Sequence, residues 1–538
     1  LGGDSLAAAE VISLLREGKE TAGLTVRDLY EAPTLAGLAA RAGRTAGHAG
    51  AAAGESSGIS PTHPLAASVL QVAWLALVVV VEAVLSYLLV FDAVPWLLGK
   101  LDLFPLMLAL PVLGAATFAA YVPLSIGGAV LAKRLLIGTY RPVRAPLWGS
   151  FHLRNWMVHG VARAIPWRML EGTPLQIVAL RALGARIGKR VHLHRGVNLL
   201  GGGWDLLEIG DDVSLNQESV IRLVEMEAGH VVAGPVVLGS GSTLEVRAGV
   251  GPHCTLEPGA YLTALSSLPR GGRIPAGERW DGIPARPAGR APEPRSPDAA
   301  TGRWSPGAHG ILLGAGRGAL TVALALPAYL PVVALGWAAD AATVRQWLAH
   351  PEFSLPGLLL AACLLMVEIP LLLAWSALLS RALGRVKPGV ISRWEPAYVR
   401  VWLKGDLLLF AGRWLSGTLW WPTWLRAAGM RLGRGCEIST IIDTVPELVE
   451  VGPRTFLADG IYLGGPLIHR GTVRLETVSL GADTFVGNHA VLAGPLRLPP
   501  DVLLGVSTRA EQERITEGSS WFGHPAFELP RREVIVLD

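Results

Sequence analysis

The sequence predicts a multidomain protein with a short all-α segment at its start, four transmembrane helices in two hairpins, and two left-handed parallel β-helices of hexapeptide repeats. Three observations predict it. Of 538 residues, 51% are apolar and 17% charged, with a mean hydropathy of +0.41, against the ~25% charged residues of an ordinary soluble chain. Four apolar stretches each exceed the roughly 20 residues that cross a bilayer. Between and after them, apolar residues recur every six positions with glycine often next in line, the period of a β-helix. The 47 Lys and Arg against 43 Asp and Glu leave no strong basic field, so nucleic acid is not an expected partner. Cys254, Cys363 and Cys436 lie far apart without a CxxC pair, which disfavours a disulfide framework or a cysteine zinc site and fits a reducing compartment.

Residues 1–45 come first. The chain opens on Leu1, and LGGDSL runs straight into an apolar helical pattern, with LTVRDLYEAPTLAGLAARAG beyond it. These strings resemble the phosphopantetheine-accepting half of a peptidyl or acyl carrier protein, here a partial all-α carrier domain without the first helix of its four. The resemblance implies that Ser5 carries 4'-phosphopantetheine and that a phosphopantetheinyl transferase attaches it. A serine after a Gly-Gly-Asp turn at a helix N-terminus has free N–H groups and the helix dipole at hand for a phosphodiester; simple N-capping by Asp4 or Ser5 is the alternative. Residues 46–64 turn to Ala, Gly and Ser and read as a linker.

The spans follow at 66–91 and 103–132, within a hairpin of residues 65–138, and at 311–339 and 355–380, within a hairpin of residues 309–387. Short loops force each pair antiparallel. The second helix of each pair exits into basic residues, Lys133, Arg134, Arg141 and Arg144, then Arg381, Arg385, Lys387 and Arg393. The positive-inside rule therefore places the soluble parts on the cytoplasmic side of an inner, plasma membrane. Glu82 and Glu368 lie inside spans, where an ionisable group is costly; pairing within the bundle, for instance with Arg317, and a route for a cationic substrate are the two readings.

Residues 139–295 and 388–533 are the β-helices, joined through a linker at 296–308. In the first, Ile187, Leu193 and Leu199, then Ile209, Leu215 and Ile221, then Val232, Leu238, Leu244, Val250, Leu256 and Leu262 keep the six-residue phase. The second repeats it from Leu432 through Val451, Leu480 and Val486 to Leu504. Breaks at 200–208, 222–231 and 464–479 read as loops projecting from the coils. RALGARIGKRVHL at Arg181 aligns with RAAGMRLGRGCEI at Arg426, 245 residues on, and WDGIPAR at Trp280 with WFGHPAF at Trp521, 241 residues on. Hairpin and β-helix are therefore duplicated as a unit. A Trp-rich helical stretch precedes each β-helix, at 147–182 and 393–428, and either lies at the headgroup level or packs on the coils.

This order of parts, with the strings GWDLLEIGDDVSL, LTALSSLP, ERWDGIPAR, FVGNHAVL and SWFGHPAFELPRR, resembles the C-terminal part of the membrane-bound nonribosomal peptide synthetases that make amino-acid homopolymers, the ε-poly-lysine synthetase family. The resemblance implies an upstream adenylation domain as partner, an amino-acid monomer of cationic type, and aminolysis of a carrier thioester at the hexapeptide domains. It also marks the chain as an excised piece. The attacking amine must lose a proton, so histidine is the natural base. Candidates are His489 in GNHA, His469 in the LIHRGT loop and His230 in the GHVVAG insertion, each with a non-catalytic loop role as its alternative. Asp443 and Asp459 suit an ammonium group, or are solvated surface residues. No metal-ligand cluster is read. Two other functions stay open: a CoA-dependent hexapeptide acyltransferase fused to a carrier, since GxPA strings occur at Gly282 and Gly523, and a non-catalytic membrane scaffold for carrier or polymer. Association as a homo-oligomer is open too, as is substitution of the tandem domains for separate subunits.

Overall fold

A computed structural model describes residues 63–100, 103–297, 304–338 and 355–530, with Gln346 alone in the last interval, and, before residue 50, two helices with scattered residues between them. The chain divides into two compact units, residues 1–62 and 63–538. In the first, helices Ser5–Leu15 and Leu35–Ala49 carry a small core of Ile12, Leu24, Leu38 and Ala42. Gly2, Gly3 and Asp4 lie outside the described residues, as do 50–62, most of the expected linker. Its start does not: helix Leu35–Ala49 runs four residues into it.

In the larger unit, four helices are long and apolar enough to cross a membrane: Pro64–Ala93, Val112–Leu136, Pro306–Tyr329 and Ala362–Ala382. Each exposes large apolar side chains along its length, Leu75, Val79, Leu85 and Leu365 among them, as a lipid-facing helix does. Arg317, within the third, pairs with Asp406 at 3.0 Å and donates to the Glu171 carbonyl at 2.7 Å. Neither Glu82 nor Glu368 is its partner, because its guanidinium turns toward the soluble layer.

Both β-helices are three-sided stacks of two- to four-residue strands paired in parallel from coil to coil. In the first, Leu193, Leu215, Leu244 and Leu262 lie in register up one sheet and are at most 2% exposed. The expected six-residue phase steps round the three faces, as in Leu244, Val250 and Leu256, and returns to this column at Leu262. Val232 departs from it: the breaks at 222–231 and 464–479 are antiparallel hairpins, Val224–Glu227 with His230–Ala233, and Leu467–His469 with Thr472–Leu475. Each is completed by an equivalent strand after the preceding pair of long apolar helices, Val143–Pro146 and Gly389–Ser392. These two arms are the duplication seen in three dimensions.

The Trp-rich stretches fold as short helices that divide their tryptophans. Trp402, Trp421 and Trp424 are buried in the second, whereas Trp414 and Trp420 are exposed. Paired charges tie helices to coils at equivalent places. Lys133 from the second span meets Asp205 at 2.7 Å, and Lys404 from helix Pro396–Leu415 meets Glu447.

A candidate site in the seam between the β-helices

Strands of two or three residues alternate sides, so the neighbours of each inward leucine point out. On the sheet of the first β-helix that carries Leu193, this raises two outward columns: His192, Ser214, Thr243, Tyr261 and Arg279, and His194, Asn216, Glu245, Thr263 and Asp281. Such a polar face belongs in water, yet His192 through Tyr261 and His194 through Thr263 are all buried. The second β-helix covers them. Its arm lies across the face, with the Asn216 amide exchanging hydrogen bonds with the Ile468 backbone at 2.9 and 3.0 Å, and Arg470 N–H donating to Ser214 Oγ at 3.0 Å. An apolar cluster of Val246, Ala264 and Leu265 against Tyr462, Leu467 and Val491 seals the contact.

His469 sits in this arm rather than in an open loop. Its Nε2 faces the Pro292 carbonyl at 3.0 Å and must donate, so Nδ1 accepts from the Thr243 hydroxyl at 2.8 Å. Burial, reinforced by the Arg470 cation, lowers its pKa to about 4. Both ring nitrogens are thus engaged and the ring is neutral, which suits holding the seam together. His230, on the arm of the first β-helix, is half-buried, its Nδ1 donating to the Ala228 carbonyl at 3.0 Å. It lies outside the seam.

At the first-coil end of the columns, His192 Nε2 is 3.0 Å from His194 Nδ1, and His194 Nε2 is 2.7 Å from Asp443 of the second β-helix. Asp443 is therefore not a solvated surface residue; it is 6% exposed. Arg195 stacks over Trp402, donates to its carbonyl, and pairs with Asp406 at 3.2 Å. The approach requires glycine at 405, where a Cβ would stand 2.0 Å from Arg195 Nη1. Neither His192 nor His194 is among the residues expected from the sequence. The signal was present as HLH, two ring-bearing residues either side of an inward leucine, but without a partner face the pattern has no special meaning. At the far end, Asp281 meets His524 at 3.3 Å and Arg509 at 3.6 Å. Burial pushes its carboxyl up, but hydrogen bonds from His524 and Thr263 and the Arg509 charge outweigh that, and its pKa falls to about 2.

His489 lies on the open rim. It is exposed at a coil corner, and its N–H bonds the Asp459 carbonyl at 2.8 Å. A Cβ on Gly460 would stand 2.6 Å from His489 Nδ1 and 3.2 Å from Arg247 Nη2 of the first β-helix, so the two side chains converge over that glycine. Asp459 accepts from Ser439 and from Thr440, and these hydrogen bonds, Ser439's first, hold its pKa below the usual carboxylate value. An imidazole and a guanidinium thus meet beside the exposed Asp459 carboxylate; Arg247 itself is mostly buried and its Nε pairs with Glu218 at 2.7 Å. The two β-helices supply different members. Ser5 begins helix Ser5–Leu15; its side chain lies outside the described residues.

No family model matches the chain. It is 30% identical over 557 aligned positions to the delta-poly-L-ornithine synthetase of Acinetobacter baumannii (strain AB307-0294), in a match that takes in 99% of this chain and 40% of that protein. The chain thus spans less than half the length of this relative. A stretch of 59 residues, 11% of the chain, is 41% identical to the UDP-3-O-acylglucosamine N-acyltransferase of Caulobacter sp. (strain K31), covering 17% of it. Among solved structures, a maltose O-acetyltransferase from Clostridium difficile 630 is 19% identical and covers 22% of this chain and 76% of its own, with a TM-score of 0.20. The likeness to an amino-acid homopolymer synthetase therefore extends over nearly the whole chain.

Proposed function

We propose, from this chain-long similarity to a polymer synthetase of amino acids, that the protein is the amide-forming part of a membrane-bound nonribosomal peptide synthetase. The similarity over 99% of the chain is the observation that carries the reading. Ser5, at the start of an 11-residue helix, is where free N–H groups favour a phosphodiester, so 4'-phosphopantetheine would be held there. When attached, that group supplies a thiol on which an aminoacyl unit can be carried as a thioester. Toward an amine that attacks such a thioester, this chain's part would be at His489, which would take the amine proton and could return it to the leaving group. Asp459 holds the ammonium form on arrival, and Arg247 faces the oxygen that gains charge. A phosphopantetheinyl transferase, an upstream adenylation domain and a cationic amino acid are the partners this requires, with the soluble domains on the cytoplasmic face of the plasma membrane.

The test is direct. Incubated with a phosphopantetheinyl transferase and CoA, the full chain gains the mass of one phosphopantetheine, and Ser5→Ala does not. Loaded with an aminoacyl group, it forms amide product with an added amine, and His489→Ala loses roughly 10²–10⁴-fold in rate, the worth of a general base. Transfer of acetyl from acetyl-CoA without the carrier would favour the CoA-dependent reading. Unchanged product from His489→Ala would leave the β-helices as a scaffold.

A further inference from the structure

Part of the Trp-rich stretch of each repeat faces outward. In the second repeat, Trp414 lies at the end of helix Pro396–Leu415, and Leu419 and Trp420, 90% and 71% exposed, precede helix Trp421–Ala428. A water-facing surface seldom gathers large apolar side chains without an interaction to serve. The first repeat gathers its own at matching places. Arg181 donates to the Ile187 and Gly188 carbonyls as Arg426 donates to those of Leu432 and Gly433, so the 245-residue offset of the two sequences holds in three dimensions. By that offset Arg168 and Met169 answer Arg413 and Trp414, and Leu175 answers Trp420; all six are exposed.

Contacts with the long apolar helices fix where these patches lie. Trp424 Nε1 donates to the Leu373 carbonyl at 3.1 Å and to Ser376 Oγ at 3.0 Å, while the Arg381 guanidinium donates to the Ala427 carbonyl. Helix Trp421–Ala428 therefore runs antiparallel to Ala362–Ala382. Trp420, one turn before Trp424, stands on the side away from the basic end of that helix, at a height where Leu371 and Leu378 are exposed as well. In the first repeat, Arg317 donates to the Met169 carbonyl at 3.1 Å and Gly310 lies against Pro174, so that patch borders helix Pro306–Tyr329. This helix touches Pro174 yet leaves Met169, Leu175 and Val178 half-exposed. A neighbouring helix does not close such a face. Lipid suits it: the apolar side chains reach the acyl border and the adjoining arginines meet phosphate.

We infer that Met169 and Leu175 in one repeat, and Trp414, Leu419 and Trp420 in the other, are interfacial anchors that enter a bilayer at the border of headgroups and acyl chains, with Arg168 and Arg413 in the headgroup layer. The inference rests on the reading that the long apolar helices cross a membrane. Each β-helix is then held to the lipid surface at a second place besides the helix that leads into it, and two points of attachment fix its tilt where one would leave it free to swing.

The test reads depth directly. Full-length protein carrying Cys363→Ala, with the buried Cys254 and Cys436 kept, receives a nitroxide spin label at one added cysteine: Trp420→Cys, Leu175→Cys, Leu365→Cys on a long apolar helix, or Val506→Cys at an exposed place on the second β-helix. In vesicles of phosphatidylcholine and phosphatidylglycerol, collision of the label with oxygen, which concentrates in lipid, is compared with collision with a water-soluble nickel chelate. The ratio of oxygen to nickel at Trp420 and at Leu175 should be several-fold above that at Val506 and approach that at Leu365. A ratio like that of Val506 at either position, in a protein that elutes as the parent does, puts that patch in water and overturns the inference. Shielding from both reagents overturns it too, since a protein surface such as a second copy then covers the patch. If Leu365 itself reads as water, the membrane reading falls and takes the inference with it; Leu365 in lipid with the patches in water sinks the inference alone.

Discussion

At the scale of single residues, the seam is unusual in burying titratable groups in fixed protonation states, and that makes it sensitive to acid. His469 titrates at about 4 in the folded chain, against ~6.5 when unfolded. Between those values the unfolded chain binds more protons, so stability is fully present above about pH 6.5 and is lost as pH falls toward 4, by up to ~3 kcal/mol. Asp281, at about 2, adds a second loss below its ordinary value near 4. Chemical denaturation in detergent from pH 7 to 2 should therefore show a fall between pH 6.5 and 4 that His469→Asn makes shallower, while leaving the lower Asp281 window in place. A parent and a variant that fall equally between pH 6.5 and 4 would contradict the engaged, neutral ring. His469 was legible as a histidine in a phase break. Its burial was not, because the face that covers it lies more than 200 residues away in the chain.

At the scale of elements, the two arms share a fold and differ in what they meet. In the second, backbone groups of Ile468 are satisfied by Asn216 on a different β-helix; in the first, Met226 at the matching place is 66% exposed. Asn216→Ala strands an N–H and a carbonyl at a buried contact, at a cost of ~1–3 kcal/mol for each group that water does not reach. Amide hydrogen exchange at Ile468 and Arg470 should accelerate by at least tenfold, with exchange in the inner coils unchanged; equal protection in both proteins would mean the apolar cluster alone holds the arm. The six-residue period marked the coils because each inner corner demands an apolar side chain every turn, and it marked the arms as interruptions. It could not say that these were strands, since a hairpin edge has no six-residue signature. Likewise Arg317 was legible as a charge in a span, but Asp406 lay in a helix whose packing against that span no local pattern expresses.

At the scale of the whole molecule, the two β-helices each follow a pair of long apolar helices and meet in a contact rich in buried polar side chains. The inner columns of leucine make each β-helix a core of its own, with Leu215, Leu244 and Leu262 fully buried in one and Leu457, Leu463 and Leu504 in the other. The seam adds what neither core requires: Asp443 on His194, Arg195 on Asp406, Arg509 on Asp281. Cutting the chain within 298–303 removes the covalent link but none of these contacts. Co-expressed halves, residues 1–300 and 301–538, should therefore purify together in mild detergent, and they should part when His194→Ala and Asn216→Ala are combined, since that leaves the buried Asp443 carboxylate only the Arg195 guanidinium at 3.8 Å and strips the Ile468 backbone of its Asn216 partner. Halves that never associate would mean that tethering, rather than complementarity, sets the seam. Halves that stay joined despite both substitutions would place the binding energy in the apolar cluster around Tyr462 and leave the polar columns free for chemistry.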